Sequence, residues 1–491
     1  MLKRVAIVLG LALGILVVAG AALYLLGGRI QLDGGGGFHL VFPKSEDEQA
    51  RDVARHREAQ RAASGSPPSS ASPAASPESS AASAPSAPLP APGAQPAPAT
   101  PSALSPGDWT DFRGPERNGA YESTAIRLDW PSSGLKPVWK QPIGGGYASL
   151  VAAKGRAFTI EQRGANEVAA GYDVATGREL WTSEWSAVFR EAMGGPGPRA
   201  TPTWHDGKLY VLGATGELRA LDAADGRTIW RTNILEDAGA SNIQWGMSAA
   251  PLIVDDTVVV LPGGRAGQSI VAYDRGTGRR AWASLNDQAS YSSPMLATIG
   301  GVRQILVFTA SRLAGITPDR GELLWEFPWT TPYDVNASQP LLVGPNRVFI
   351  STGYGSGAVL VEPQRGADGR WQVREVWRTN RMKNQFTSSL LHDGHIYGLD
   401  ESILACIDAA TGALKWKGGR YGYGQVMLAG GHLIVVTEGG ELALVRATPD
   451  GHNELARFPA LDGRTWNHPA ISGGYLLVRN ASEMAAFDLR K

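Results

Sequence analysis

From residue 135 onward, apolar and polar residues alternate in short runs separated by glycine-centred turns, the period-two pattern of half-buried β-strands. One segment recurs. Gly171-Tyr172-Asp173-Val174-Ala175-Thr176-Gly177-Arg178-Glu179-Leu180-Trp181 is repeated closely by Ala220 to Trp230, Ala272 to Trp282 and Cys406 to Trp416, and more loosely by Gly315 to Trp325, Val361 to Trp377 and Val445 to Phe458. Its chemistry is that of a strand, a tight turn and a second strand: Asp hydrogen-bonds turn amides, Gly supplies positive φ, and Trp presents an apolar plate to a neighbouring sheet. Each copy follows a hairpin such as Thr203 to Tyr210, Leu252 to Val259 or Leu341 to Phe349. Hairpin plus Trp-ended pair makes four antiparallel strands, the unit of a propeller blade.

Spacing predicts the blade count and the closure. The Trp-position residues fall at 139, 181, 230, 282, 325, 377, 416 and 458, which gives eight outer strands. After Phe458 come one more hairpin, Ala470 to Arg479, and Ala486-Phe487-Asp488, with no further Trp-ended strand; Val138-Trp139-Lys140 is an outer strand with no inner strands before it. The expected fold is therefore all-β, an eight-bladed propeller of four-stranded antiparallel blades over 135–491. An N-terminal outer strand completes the last blade and removes an exposed edge. Seven blades with a stray strand is the alternative.

Ahead of this repeat the pattern changes three times. Lys3 and Arg4 precede an uncharged stretch from Val5 to Leu26. At about 1.5 Å per residue it spans roughly 33 Å, enough for one crossing of a bilayer core. Residues 1–28 are thus expected to form a transmembrane helix, a signal anchor in the bacterial inner membrane that leaves the propeller in the periplasm; a signal peptide cleaved near Ala19 to Ala22 is the alternative. Residues 29–64 read as a charged, solvated stalk, with Asp47 and Arg51 four apart for a surface pair on a short helix. Residues 65–106 are Ala, Ser and Pro with Glu78 the one charge, a composition that predicts a disordered linker. Residues 107–134 form a lead-in to the first strand.

Charge and cysteine content narrow the chemistry. With 46 basic and 46 acidic residues the chain lacks the electrostatic footprint of a nucleic-acid binder. Cys406 stands alone, so no intrachain disulfide is available, a zinc site would need several histidines nearby, and a buried apolar role is expected. His392-Asp393-Gly394-His395 aligns with the hairpin turn His205-Asp206-Gly207-Lys208, which explains it by turn chemistry and not as a metal site. Ser292 and Ser293 with His468 lack a nucleophile elbow and an orienting acid.

The segments that lead into the innermost strands should converge on the axis. They nominate Arg199, Trp245, Asn336, Gln339, Lys383, Asn384, Arg420, Gln425, Trp466, Asn467 and His468 as a funnel lining. Such a lining would hold a planar polar ligand or a peptide by stacking and in-plane hydrogen bonds. A merely wet, polar axis accounts for the same residues.

The Ala-x-Asp-x-x-Thr-Gly-x-x-x-Trp pattern resembles the tryptophan-docking repeat of PQQ-like propellers, which include quinoprotein alcohol dehydrogenases and the outer-membrane assembly factor BamB. Asp108-Trp109-Thr110-Asp111-Phe112-Arg113-Gly114-Pro115 resembles the lead-in of many bacterial PQQ-like repeat proteins. The dehydrogenase branch implies a stacked pyrroloquinoline quinone, a calcium held by carboxylate and amide oxygens, and an aspartate base. Trp245 or Trp466 would then stack, and Arg199, Lys383, Asn336 or Asn384 would bind quinone oxygens. None of the axial segments carries a carboxylate, which leaves Glu161 and Asp334 as calcium candidates, and the adjacent cysteine pair of many such enzymes is absent. The assembly-factor branch implies a binding or scaffold module for a protein partner, with no cofactor. That reading is preferred here, with quinoprotein oxidation as the alternative.

Overall fold

In the computed structural model, which describes residues 29–32, 38–41, 44–64 and 107–491, the repeat forms eight sheets, each containing four antiparallel strands in blade order. Blades 1 to 8 begin at the innermost strands Val151–Ala153, Thr203–His205, Leu252–Val254, Met295–Ile299, Leu341–Val343, Leu390–His392, Gln425–Ala429 and Ala470–Ser472. The strand Pro137–Pro142 is the outer strand of blade 8, antiparallel to Glu483–Asp488 with Trp139 opposite Ala486 and Pro137 opposite Phe487. The ring closes as the spacing predicted, and seven blades are excluded.

Each residue type of the repeat has a separate physical task. Asp173 Oδ1 accepts from the amide and hydroxyl of Thr176 at 2.9 and 2.7 Å, and Asp274 and Asp408 hold Thr277 and Thr411 in the same way. The indole N–H crosses to the next blade: Trp139 donates to Val174 O at 2.8 Å, Trp181 to Ala223 O at 3.1 Å and Trp230 to Arg275 O at 2.9 Å. Gly177 is needed on two counts, because its φ is 71° and a Cβ there would lie 2.7 Å from the Trp139 ring. Where the next blade lacks the Thr-Gly turn, Trp325 donates instead to the buried Gln304 of its own blade at 2.5 Å. Phe458, which replaces Trp in blade 7, packs edge-on against Phe487 and against Trp130 of the lead-in, at centroid distances of 5.6 and 5.7 Å. Cys406 is buried in the blade 6 sheet, where loss of solvent pushes its thiol up to about 11. His392 pairs with His395 across a hairpin turn, as its alignment predicted.

The lead-in enters the ring. Trp109 exchanges backbone hydrogen bonds with Ala152 of blade 1 at 2.7 and 2.8 Å, and Thr110 O accepts from Trp204 N of blade 2 at 2.8 Å. The buried Arg117 reaches Ala250 O, Pro251 O and Pro294 O, just ahead of blades 3 and 4, and the buried Arg113 donates to Ser389 O ahead of blade 6 at 2.7 Å. Ala120–Tyr121 then adds a parallel fifth strand to blade 7 beside Leu428 and Ala429. Residues 107–121 are therefore a plug through the axis.

The expected solvated stalk contains a helix, Glu46–Ser64, that is docked along one side. Val53 and Arg57, four apart and so on one face, are each 2% exposed. Around them Gln49 donates to Ile143 O at 2.9 Å, Gln60 donates to Gln141 Oε1 at 2.8 Å, and Arg57 meets Pro142 O at 3.0 Å and Glu179 at 3.2 Å. The helix thus lies over the seam between the closing strand and blade 1. Its many charges sit on the other side, which is why composition alone read as solvated. Val53→Asp is expected to undock it, since a polar helix of this length is marginal by itself. Tryptic cleavage at Arg51, Arg55 or Arg61 should then accelerate roughly tenfold or more with ring stability nearly unchanged, and an unchanged rate would contradict the docking.

Among the described residues no helix is long and apolar enough to cross a membrane. The anchor expected over 1–28 and the linker expected over 65–106 lie outside the described residues.

Candidate functional site

Strand direction decides which loops share a face. In a four-stranded blade, the loop entering the innermost strand and the turn between the second and third strands lie at the same end. At that end of the ring a cavity of 580 Å³ opens, lined by residues from several blades and by Phe112 of the plug. Because the plug fills the axis, the cavity is blind and Phe112 is part of its floor.

Five of the eleven sequence-nominated residues line it: Arg199, Trp245, Gln425, Trp466 and His468. Trp466 is at the centre of an aromatic wall, 4.7 Å from Phe386 and 5.0 Å from Tyr147, with the Arg464 guanidinium 4.6 Å above its ring. Trp245 tilts against Tyr291 at 5.5 Å. Arg199 lies over Phe189 at 4.6 Å and pairs with Glu191 at 3.3 Å; burial lowers its pKa and Glu191 opposes the shift. Gln425 donates to Trp466 O at 2.9 Å, which fixes the loop that carries the tryptophan. His468 is buried, and loss of solvent with the nearby Arg113 charge pushes it down to about 3, so it is neutral. Its Nδ1 lies 2.7 Å from Pro469 O and its Nε2 3.2 Å from Val426 O; the neutral ring has one N–H and donates to one of these two backbone carbonyls.

The other six do not line the cavity, and the reason is mostly hydrogen bonding. Asn336 is fully buried, donating to Thr309 O at 2.8 Å and accepting from Thr352 at 2.8 Å. Asn384 donates to Leu399 O at 3.0 Å and accepts from Ser389 at 2.7 Å, and Asn467 donates to Ala148 O at 3.0 Å. These asparagines satisfy backbone groups between inner loops. Gln339 is buried below the lining, Lys383 pairs with Asp400 at 3.4 Å, and Arg420 is exposed near Ser402.

Sequence reasoning missed Phe112, Glu191, Met193, Tyr354, Glu438 and Arg464, whereas Phe386 and Tyr423 lie in the entry segments 383–386 and 420–425 that it brought to the axis. Tyr354 and Glu438 sit on the turns between second and third strands, which strand parity places at the cavity end; that signal was readable in principle. Glu191 and Met193 belong to the long connection from blade 1 to blade 2, and Arg464 Nη1 reaches across to Met193 O at 2.7 Å.

The resulting chemistry is stacking and hydrogen-bond donation. Eight aromatic rings line the cavity, Phe112, Tyr147, Trp245, Tyr291, Tyr354, Phe386, Tyr423 and Trp466. Burial raises the phenols of Tyr147, Tyr354 and Tyr423 and pushes Tyr291 up to about 12, so all stay protonated near neutrality. The two carboxylates of the lining are engaged. Glu438 accepts from the Trp466 indole at 3.1 Å and from Tyr423 N at 3.1 Å, and Glu191 accepts from Met193 N at 2.7 Å besides pairing with Arg199.

This arrangement does not fit a quinone with calcium. Among the described residues no group of three or more His, Cys, Asp or Glu could hold a metal ion. Glu161 is fully buried outside the cavity, where it pairs with Arg163 and accepts from Gly144 N at 2.7 Å, and Arg163 draws its pKa down against the effect of burial. Asp334 is exposed. Neither offers a cation oxygen ligands beside a stacking ring, and Cys406 lies inside a sheet.

A family profile described as outer membrane protein assembly factor BamB matches residues 164–418, just over half of the chain. An outer membrane protein assembly factor BamB of Burkholderia pseudomallei is 22% identical over 374 residues, covering 70% of this chain and 88% of that protein. A quinohemoprotein alcohol dehydrogenase of Comamonas testosteroni is 30% identical over 133 residues, only 25% of this chain and 18% of the enzyme. The crystal structure of quinohemoprotein alcohol dehydrogenase from the same species superposes with a TM-score of 0.56 at 13% identity, over 79% of this chain and 81% of that one, a likeness of fold alone.

Proposed function

This chain belongs to the PQQ-like propeller family whose profile is described as outer membrane protein assembly factor BamB, and from that premise we propose that it is a protein-binding scaffold in outer-membrane protein assembly, with the blind aromatic cavity as its contact site. The observation that carries the cavity assignment is its wall of eight rings and two stacked guanidiniums, with both carboxylates already engaged. Such a wall favours aromatic, apolar and backbone carbonyl groups of an inserted polypeptide loop or chain end over chemistry that needs a base or metal. A closed floor favours insertion from one face and disfavours threading.

Anchoring is part of the same proposal. The apolar stretch Val5 to Leu26 supports a single inner-membrane span with the propeller on the periplasmic side. The docked helix begins at the cavity end of the ring, where Glu46 pairs with Arg190.

The test titrates the full-length chain in detergent with a labelled, urea-unfolded outer-membrane β-barrel polypeptide. Saturable binding is expected, and Trp466→Ala should weaken it by about 2 kcal/mol, roughly 30-fold, as for other buried aromatic contacts at interfaces. Equal affinity of the variant would remove the cavity assignment. Quinone that stays bound in the presence of calcium, with dye reduction by alcohols, would favour the dehydrogenase reading instead.

A further inference from the structure

Two tyrosines at the cavity mouth hold a backbone conformation that suits neither. Tyr333, in the connection from blade 4 to blade 5, has φ 68°, and Tyr354, in the turn between the second and third strands of blade 5, has φ 54°. A left-handed backbone is costly for a bulky side chain. The matching turn of blade 1 places Gly164 in that region, at φ 56°, where no Cβ is strained. Of the described non-glycine residues with positive φ, Tyr333 and Tyr354 alone are aromatic, and they meet edge to face with ring centroids 6.0 Å apart. Tyr354 lines the cavity; Tyr333 stands just outside it, followed by the lining residues Val335 and Ala337.

The fold gains little from the Tyr333 ring in return. It is 78% exposed, the highest value among the large hydrophobic side chains described; Met193 follows at 66%, and the rest do not exceed 46%. Met193 is also at the mouth, where it lines the cavity and its carbonyl accepts from Arg464, whose guanidinium lies over Trp466. The connections that carry Met193 and Tyr333 are three blades apart, so the two side chains border the mouth on different sides. Single exposed apolar residues are ordinary, but the two most exposed ones bordering one cavity, one of them on a strained backbone, mark a contact made with something outside the fold.

We infer that Tyr333 and Met193 are outer contacts for the polypeptide that enters the cavity, with the protein-binding reading of that cavity as the premise. The bound segment crosses the mouth in extended form. One side chain sits among the inner rings, and apolar side chains before and after it rest on the Tyr333 ring and the Met193 thioether. Because Tyr333 packs on Tyr354, the contact outside the mouth is continuous with the cavity wall. The partner is therefore unfolded over several residues, with apolar side chains on both sides of the inserted one. A small aromatic molecule contained within the cavity would touch neither side of that rim.

The full-length chain in detergent is titrated with the same labelled, urea-unfolded β-barrel polypeptide. Tyr333→Asn removes the ring and leaves a residue that tolerates the left-handed backbone. It should weaken binding by about fivefold to tenfold, the worth of one aromatic contact, with the melting midpoint unchanged or raised. Saturating polypeptide should also slow peroxide oxidation of Met193 to the sulfoxide, read by mass spectrometry, by about fivefold or more. Unchanged affinity of Tyr333→Asn beside a weakened Trp466→Ala would overturn the rim contact and leave the cavity reading standing, whereas no saturable binding by the unaltered chain would remove both. A midpoint several degrees lower in Tyr333→Asn would show that the ring serves the fold and would overturn its assignment. An unchanged oxidation rate would do the same for Met193.

Discussion

Replacing Pro137–Pro142 by a Gly/Ser linker of equal length is expected to open the ring. Those six residues supply the outer strand of blade 8 and, through Trp139, the plate that docks on Gly177 of blade 1. Without them Glu483–Asp488 becomes an edge strand, and the indole bond to Val174 O is lost. The melting midpoint should fall by about 10 °C or more, because many packed residues at the seam lose a partner together. Concentration-dependent oligomers should form as exposed edges pair between molecules. Adding the missing strand in trans as a peptide should restore the monomer. A variant that stays monomeric with an unchanged midpoint would show that the termini do not share a blade.

The second large effect is expected inside the axis. Arg117→Met should cost about 3–5 kcal/mol, the range for breaking a buried ion pair by removal of one member. Its guanidinium donates to Pro294 O at 2.9 Å and Thr203 Oγ1 at 3.2 Å and reaches Ala250 O and Pro251 O, so one side chain ties the plug to blades 2, 3 and 4. Removal strands those carbonyls and leaves Asp111 without its counter-charge. Denaturant titration measures the loss, and exchange of the Trp109 and Ala152 amides distinguishes a loosened plug from global destabilisation. A loss under about 1 kcal/mol would mean that the axis is solvated and the plug is ornamental.

The two variants probe features of unequal visibility. Trp139 and Phe487 could be paired from the chain alone, because a repeat with a missing outer strand at one end and a spare one at the other has one economical closure. Nothing in the lead-in announces a plug. Asp108 to Pro115 holds charged residues and glycine, a composition suited to the surface, and Arg113 and Arg117 become buried because carbonyls of several inner loops converge on the axis to receive them.

The candidate site divides along the same line. Trp466, Trp245 and Arg199 were found because loops entering the inner strands must face the axis. Asn336, Asn384 and Asn467 satisfy the same rule, yet their short amides are spent on neighbouring backbone. Glu438 and Tyr354 were missed because attention to entry loops alone left out the turns that antiparallel order brings to the same end. The helix Glu46–Ser64 shows the converse error, a charged segment whose two inward residues, Val53 and Arg57, are too few to make an apolar stripe.

The sequence by itself determined the blade, its eightfold use and the partner of the last strand, since period-two alternation and the Asp, Gly and Trp positions are local chemistry repeated in register. Only the tertiary structure decided what fills the axis, which loop residues reach the cavity and where the docked helix lies. Those outcomes depend on which unsatisfied carbonyls, carboxylates and rings come within reach of one another across more than a hundred residues of chain, and no local pattern encodes that.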